Sequence, residues 1–278
     1  MLVNLNDLLP KAQKEHYAVG LFNTTDTDML EAVLSAAEEL RSPVIIGTAE
    51  VLLPYGDFPL LAPSLLSCAK SASVPVVLHY DHGLTFGRCM EALKVGFSSV
   101  MFDGSAHDAA SNLADTAEIV RIAHGFGASV EGEIGHVGEA ANGDNAVSDR
   151  YTTPQEAEEF LAKTGVDALA VAIGTAHGAY REKPRLDLGR LREIRARVDV
   201  PLVLHGGSGL SDDDFRNTIR DGIAKINVFT DLCLAGNEGM REGLSAGLSY
   251  NEIRQRKVAA IREAVKTKIR LFGSAGKA

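Results

Sequence analysis

The stretch PVVLHYDH, residues 75–82, reads as a buried β-strand whose end carries ionisable side chains. An almost unbroken apolar run is typical of a strand in a parallel sheet that is covered on both faces. Seven other runs of this kind alternate with amphipathic helical segments, and this alternation predicts an α/β fold. They are YAVGLFN (Tyr17–Asn23), PVIIGT (Pro43–Thr48), SSVMFDG (Ser98–Gly104), SVEGEIG (Ser129–Gly135), ALAVAIG (Ala168–Gly174), PLVLHGG (Pro201–Gly207) and AKINVFT (Ala224–Thr230).

Two architectures fit this pattern, a closed (β/α)8 barrel and an open doubly wound sheet. The count of eight strands in a chain of 278 residues favours the barrel. A doubly wound nucleotide-binding sheet has a glycine-rich turn after its first strand, but the turn here is FNTTDTD, without GxGxxG. We therefore predict a single (β/α)8 TIM barrel domain over residues 1–278, in which residues 249–278 form a C-terminal helical extension.

The composition narrows the classes of partner. The net charge is −9 and there is no run of Lys or Arg, which argues against nucleic-acid and membrane-surface partners. The three cysteines, Cys68, Cys89 and Cys233, form no CxxC and fit a reducing compartment. The first residues lack the pattern of a signal peptide, and no apolar stretch approaches a membrane span. We expect a cytoplasmic protein.

Polar side chains gather where the predicted strands end. In a barrel, the carboxyl ends of the strands form the face that carries the active site. Glu131 and Glu133 are two residues apart on one strand and therefore share a face. The polar residues at the other strand ends are Asn23, Asp81, His82, His177, His205, Lys225, Asn227 and Thr230.

Three different strand ends offer a histidine to one rim: His82, His177 and His205. Neutral imidazoles from separate strands can converge on one metal ion, and three protein ligands with an open fourth position form the usual catalytic zinc site. Histidine also binds other transition metals, so the pattern predicts a divalent metal more firmly than zinc. Strand alternation directs His79 away from His82, and we expect His79 to be a supporting residue.

The segment HGGSG, residues 205–209, predicts an anion site. Its glycines, Gly206, Gly207 and Gly209, let backbone N–H groups approach an anion, and Ser208 adds a hydroxyl donor. In barrels, the loops after the seventh and eighth strands often bind phosphate. The alternative is that GGSG is only a flexible turn.

Several motifs together resemble those of the class II, metal-dependent fructose/tagatose-bisphosphate aldolases. They are DHG at the third strand, GTAHG at the sixth, LHGGSG at the seventh and KINVFT at the eighth, with YAVGLFN, EGEIG and LFGSAGKA elsewhere. The resemblance covers essentially the whole chain. It implies a (β/α)8 barrel that reversibly cleaves a ketose phosphate into dihydroxyacetone phosphate and an aldehyde.

The resemblance also implies roles for individual residues. One Zn²⁺ per subunit would be held by His82, His177 and His205, and Asp81 would act as acid and base on the C4 hydroxyl. Glu133 would contact the metal when it shifts position. A monovalent cation (Na⁺ or K⁺) and a homodimer or homotetramer are further expectations. The residues expected to hold the substrate are Asn23, Gly178, Gly206, Gly207, Ser208, Lys225, Asn227 and Thr230.

The expected chemistry agrees with these residue types. Cleavage of the C3–C4 bond leaves an enediolate, whose charge a divalent metal can stabilise as a Lewis acid without a Schiff base. A carboxylate beside the metal keeps a low pKa and can remove the C4 hydroxyl proton. A bound phosphate keeps the reacting carbons aligned.

The chain departs from the bisphosphate-cleaving members at two places. Their loop after the fifth strand has a GGxED-like run that supplies a proton-carrying carboxylate, whereas this chain has GHVGEAANGD. Neither Glu139 nor Asp144 is in register there. Glu139 is our candidate proton carrier, and a solvated loop carboxylate is the alternative. The loop, residues 136–153, is long enough to be a mobile active-site loop.

The second departure lies before the last helix. Bisphosphate-cleaving members have a Pro-Arg pair there, and this chain has GLSYNEIRQ with Asn251 at about that place. An arginine is the natural partner of a terminal phosphate. We therefore favour a ketose 1-phosphate with a variable distal end, unless another residue such as Arg254 holds a second phosphate.

Three alternatives remain open at this point. The first is a strict fructose-1,6- or tagatose-1,6-bisphosphate aldolase. The second is a metal-dependent barrel hydrolase whose metal activates water. The third is a non-catalytic sugar-phosphate binder, although such a protein need not have kept three histidines and Asp81.

Overall fold

The computed structural model describes residues 1–135, 137, 151–178 and 184–278. Eight parallel strands pair in chain order from β2 to β9, and β9 pairs with β2, so the sheet closes into the predicted barrel. The strands are β1 (Leu2–Val3), β2 (Val19–Asn23), β3 (Val44–Ala49), β4 (Val76–Gly83), β5 (Ser99–Phe102), β6 (Ser129–Ile134), β7 (Ala168–Val171), β8 (Leu202–Leu204) and β9 (Ile223–Val228).

Helices follow the strands and cover the outside of the barrel. Several begin at a capping side chain, such as Asp26, Thr85 and Ser211, which accepts a hydrogen bond from a first-turn amide. No helix in the described ranges is both long and apolar enough to span a bilayer. The helices are α1 (Leu5–Lys14), α2 (Thr27–Glu39), α3 (Phe58–Ser71), α4 (Phe86–Val95), α5 (Ala109–Gly125), α6 (Pro154–Thr164), α7 (Leu188–Arg195), α8 (Asp212–Arg220), α9 (Thr230–Ser245) and α10 (Tyr250–Phe272), with a 3₁₀ helix at Glu50–Leu52.

Two elements near the amino terminus, β1 and α1, were not predicted from the sequence. Strand β1 pairs with the first residues of β4, and α1 begins at a capping box formed by Asn4 and Asp7. The buried face of α1 packs into the amino end of the barrel. There it joins inward side chains of the strands in one apolar cluster: Leu5, Leu8, Leu9, Ala12, Tyr17, Val19, Leu21, Ile45, Val77, Ala168, Ala170, Val203 and Ala224.

The carboxyl half of the barrel interior is polar. Successive inward positions change from apolar to ionisable along a strand, as in Val77, His79 and Asp81 of β4. Lys225 of β9 contacts Glu131 of β6 at 2.8 Å. Because β7 and β8 lie between these two strands, this contact crosses the barrel interior. The strands thus place an apolar layer at the amino end of the barrel interior and a charged layer at its carboxyl end.

Helix α10 forms the predicted C-terminal extension and packs against α9 and α2. Three glycines on one face of α9, Gly236, Gly239 and Gly243, are buried at this contact. A Cβ atom at Gly239 would lie 2.7 Å from the carbonyl oxygen of Arg256. The absence of side chains on this face is therefore what allows α10 to pack closely.

We expect Gly239→Ala to lower the free energy of unfolding by about 1–3 kcal/mol, because the methyl group must push the α10 backbone away. Urea unfolding followed by circular dichroism measures this change. Gly87→Ala in α4 is the matched control, since nothing lies within 4 Å of its added Cβ. The free energy of unfolding of the control should stay unchanged or rise by up to about 1 kcal/mol, because alanine has a higher helix propensity than glycine. Equal stability of Gly239→Ala and wild type would contradict this account.

Candidate active site

A cavity of about 510 Å³ opens at the carboxyl ends of the barrel strands. It receives side chains or backbone from the ends of strands on all sides of the barrel. Most residues predicted for the site from their strand-end positions line this cavity: Asn23, Asp81, His82, His177, Gly178, Gly206, Gly207, Ser208, Asn227 and Thr230. The structure therefore brings together residues that are up to 207 positions apart in the chain.

His82 occupies an unusual backbone conformation. Its φ of 42° lies in the left-handed region, and the pairing of β4 with β5 changes register between Tyr80 and Gly83. A bulge of this kind re-aims a side chain that would otherwise alternate to the outside. Both Asp81 and His82 consequently line the cavity. Strained backbone persists only where the surrounding structure holds it in place, and it is typical of functional sites.

The three predicted histidines converge. One ring nitrogen from each of His82, His177 and His205 lies within 4.8 Å of the others. Nε2 of His82 and Nδ1 of His205 are 2.8 Å apart. The opposite ring nitrogen of each is held by a carboxylate: His82 Nδ1 lies 2.6 Å from Asp103, and His205 Nε2 lies 2.8 Å from Glu131. These carboxylates keep protons on the outer nitrogens, so that the inner nitrogens, which share a hydrogen bond at 2.8 Å, face the common centre.

The electrostatic field at this centre favours a cation. Burial lowers the pKa of His82, but the charge of Asp81 and the hydrogen bond with Asp103 outweigh it and raise the pKa to about 10. Burial and the neighbouring charge of His82 lower the pKa of His177 to about 3. His177 is therefore neutral at physiological pH and able to offer a lone pair. A field that stabilises positive charge on His82 also stabilises a bound metal ion.

Asp81 is buried beside the histidines and is held by two asparagines. Asn23 donates to it at 2.7 Å, and Asn227 donates at 3.0 Å and 3.1 Å. Burial raises the pKa of Asp81, but the charge of His82 and the nearby imidazole of His79 hold it well below its usual value. The carboxylate is thus ionised at neutral pH and can accept a proton.

Lys225 lies beneath the cavity and does not line it. Its ammonium is fully buried and contacts Glu131 at 2.8 Å and the amide oxygen of Asn227 at 2.7 Å. Burial raises the pKa of Glu131, but the charge of Lys225 and the hydrogen bond with His205 bring it down to about 2. In this position Lys225 supports Asn227 and, through Glu131, His205. Its predicted contact with substrate stays a prediction.

His79 is also buried beneath the cavity. Its Nδ1 lies 2.7 Å from the hydroxyl of Ser99, and its Nε2 lies 3.6 Å from Asp81. This placement agrees with the expected supporting role, because the buried ring lies next to the carboxylate of Asp81 and does not line the cavity.

Glu133 is buried at the edge of the histidine cluster. One of its oxygens lies 3.6 Å from His205 Nδ1 and has no hydrogen-bond partner among the described residues. Burial and the charge of Asp103 raise the pKa of Glu133 well above its usual value. An unpaired buried carboxyl oxygen beside an imidazole nitrogen is an arrangement that a bound metal ion can complete.

The glycine-rich segment after β8 forms one side of the cavity. Gly206 has a φ of 65°, and a Cβ atom there would lie 2.3 Å from the carbonyl oxygen of Ala176. Helix α9 begins beside this segment at Thr230, and its cap residue Phe229 gives no side-chain hydrogen bond. A helix amino terminus beside a glycine-rich segment forms a site suited to phosphate.

Glu139 and Asp144 lie outside the described residues. Arg254, on α10, pairs with Asp28 at 2.8 Å and with Glu31 at 2.5 Å, both at α2. Asp103 was not predicted as a site residue, although it follows the strand run SSVMF and so carries the same strand-end signal as Asp81.

The chain is similar in sequence and in structure to known proteins. A family model described as fructose-bisphosphate aldolase class-II matches residues 3–277. A 6-phospho-5-dehydro-2-deoxy-D-gluconate aldolase of Bacillus licheniformis is 41% identical, with 99% of this chain and 96% of the relative covered. A probable fructose-bisphosphate aldolase of Bacillus subtilis is 39% identical, with 100% and 99% covered. The crystal structure of the YdjI aldolase from Escherichia coli K12 matches with a TM-score of 0.91 at 38% identity, with 100% of both chains covered.

We expect Asp103→Asn to weaken divalent-metal binding by about 10–100-fold, because the amide no longer holds the proton on Nδ1 of His82. Competition of the purified protein with a chromophoric zinc chelator measures the affinity. Asp213→Asn, at an exposed carboxylate on α8, is the matched control and should bind metal like wild type. Equal affinity of Asp103→Asn and the control would show that Asp103 does not orient this ligand.

Proposed function

The chain belongs to the class-II fructose-bisphosphate aldolase family, and from this premise we propose how its cavity acts on a ketose 1-phosphate. The protein is a ketose-phosphate aldolase, a carbon–carbon lyase with a metal cofactor and a small phosphorylated sugar as substrate. One observation carries the proposal. Ring nitrogens of His82 and His205 lie 2.8 Å apart, and His177 completes the cluster, beside the buried carboxylate of Asp81.

We propose that His82, His177 and His205 hold the metal ion. The donor set fits, because Asp103 and Glu131 fix the protons on the outer nitrogens and Glu133 keeps an unpaired oxygen nearby. When bound, a divalent metal supplies a Lewis acid for the oxygens next to the carbon that gains negative charge. Three histidines favour Zn²⁺ as this metal. Glu133 is the proposed additional ligand.

Asp81 is the proposed proton acceptor. The C4 hydroxyl of the substrate gives its proton to Asp81 as the C3–C4 bond breaks. C4 becomes the carbonyl carbon of the aldehyde, and the bonding electron pair stays on C3 of the dihydroxyacetone phosphate part. Asn23 and Asn227 orient the carboxylate for this transfer, because both donate to it. C3 then takes up a proton, for which we propose Glu139 as carrier.

The phosphate of the substrate is proposed to lie on the glycine-rich side of the cavity. Gly178, Gly206 and Gly207 can offer backbone amides without a side chain in the way, and Ser208 and Thr230 add hydroxyl groups. The amino terminus of α9 favours a negative charge at the same place. A phosphate held here leaves the reacting carbons over Asp81 and the histidines. We also propose a monovalent cation, Na⁺ or K⁺, near this phosphate.

The distal end of the substrate is proposed to lack a phosphate. By the sequence resemblance, Asn251 stands at about the place of the family's phosphate-binding arginine, and the guanidinium of Arg254 is already paired with Asp28 and Glu31. We propose a homodimer or a homotetramer as the assembly.

Asp81→Ala should reduce cleavage by about 10²–10⁴-fold while the protein keeps its metal, because only the proton acceptor is lost. Coupled detection of dihydroxyacetone phosphate measures cleavage, and metal analysis of the purified variant measures occupancy. Asp213→Ala, at an exposed carboxylate, should retain wild-type activity. Unchanged turnover of Asp81→Ala would refute the assignment of the base.

A comparison of three substrates tests the proposed distal end. Fructose 1-phosphate should be cleaved with a higher kcat/KM than fructose 1,6-bisphosphate or tagatose 1,6-bisphosphate, because the described cavity offers no lysine or arginine to a second phosphate. The same coupled assay with added Zn²⁺ applies to all three sugars. A high kcat/KM with either bisphosphate and little cleavage of the monophosphate would overturn this part of the proposal.

A further inference from the structure

One side of the active-site cavity is apolar. It is formed by Ala49 at the end of β3, by Val51 and Leu52 in the 3₁₀ helix, and by Leu84 just after β4. We call these four residues the apolar wall. Val51 is 56% exposed and Leu84 is 43% exposed. Large apolar side chains that face an open cavity remain in contact with water until a ligand covers them.

The apolar wall lies across the barrel from the glycine-rich side. Strands β4 and β8 are four positions apart in either direction around the closed sheet, so their ends are diametrically opposite. Gly206 and Ser208 follow β8, and Leu84 follows β4. A ketose phosphate that is anchored by its phosphate at the glycine-rich side and reacts beside Asp81 must direct its aldehyde half toward the apolar wall.

Glu50 joins the two segments of the apolar wall. Its carboxylate accepts hydrogen bonds from the amides of Leu84 and Thr85, at 2.8 Å and 3.2 Å, and from the hydroxyl of Thr85 at 3.3 Å. The 3₁₀ helix and the loop after β4 are therefore held as one surface before any ligand binds. The charge that holds them is negative, which disfavours a second anion at this place.

The chemistry of the wall determines what it can recognise. Among the described residues that line the cavity, none is lysine or arginine. A phosphate placed against Val51 and Leu84 would lose water without gaining a partner, which is unfavourable. An aldehyde with aliphatic carbons would instead remove both side chains from water, which is favourable.

We propose that the apolar wall selects an uncharged aldehyde half with an aliphatic distal end, and that Val51 and Leu84 determine this specificity. The inference rests on the proposed function, because it assumes that dihydroxyacetone phosphate occupies the glycine-rich side. It goes further by assigning a ligand class and two residues to the other half of the cavity.

Aldol condensation tests the inference directly. The metal-loaded protein is supplied with dihydroxyacetone phosphate and with acetaldehyde, propanal, butanal or glyceraldehyde 3-phosphate in turn. We expect kcat/KM to rise along the aliphatic series, since one added methylene in an apolar pocket changes it by roughly tenfold or more. With butanal, kcat/KM should exceed that with glyceraldehyde 3-phosphate by roughly tenfold or more. The highest kcat/KM with glyceraldehyde 3-phosphate would overturn the inference.

Three variants assign the effect to the wall. Val51→Ser and Leu84→Ser should each reduce, by roughly tenfold, the increase in kcat/KM between acetaldehyde and butanal. Leu60→Ser, on α3 and 73% exposed, is the matched control outside the cavity and should keep the wild-type series. Val51→Arg should raise kcat/KM with glyceraldehyde 3-phosphate, because it supplies a cation. An unchanged aliphatic series in both serine variants would refute the role of Val51 and Leu84.

A half-reaction separates this inference from the proposed function. Exchange of deuterium from solvent into C3 of dihydroxyacetone phosphate needs the metal and the glycine-rich side but no aldehyde. Exchange at the wild-type rate in all three wall variants, with altered aldehyde preference, supports the inference. Exchange without any preference for aliphatic aldehydes refutes the inference and leaves the aldolase assignment intact. No exchange in the wild-type protein refutes the proposed function itself.

Discussion

The contact between Lys225 and Glu131 across the barrel interior is the interaction on which the geometry of the site depends. Two opposite charges are fully buried at 2.8 Å, and each also holds a functional side chain: Lys225 holds Asn227, and Glu131 holds His205. Removing either partner would leave a buried charge unpaired, which is strongly unfavourable. The pair therefore fixes the orientation of one proposed metal ligand and, through Asn227, of Asp81.

A buried hydrogen bond to a carboxylate also holds the histidine on the other side of the cluster. Asp103 holds His82, whose left-handed backbone conformation turns its imidazole toward His205. The strain is confined to the backbone of His82. The hydrogen bond with Asp103 and the closed sheet hold this conformation in place. His82, His205 and Asp81 are thus each held by a side chain from another part of the barrel, which limits their motion before a ligand binds.

In our proposal, the chemistry and the specificity of the protein are carried by different parts of the cavity. The charged layer and the glycine-rich side bear the features common to aldol cleavage of a ketose phosphate. The apolar wall of Ala49, Val51, Leu52 and Leu84 belongs to the 3₁₀ helix and to the loop after β4. Loops of a barrel can change without disturbing the strands, so substrate choice can diverge while the reaction stays the same.

The sequence by itself determined the barrel, its eight strands and the strand-end position of Asp81, His177 and His205, because strand periodicity and strand ends are local features. It did not reveal α1 as the floor of the barrel, nor Asp103 as the partner of His82. It also directed His82 and Asp81 to opposite faces, since alternation assumes a regular strand. Only the tertiary structure decided these points, because a bulge and a contact between distant strands depend on how the closed sheet packs.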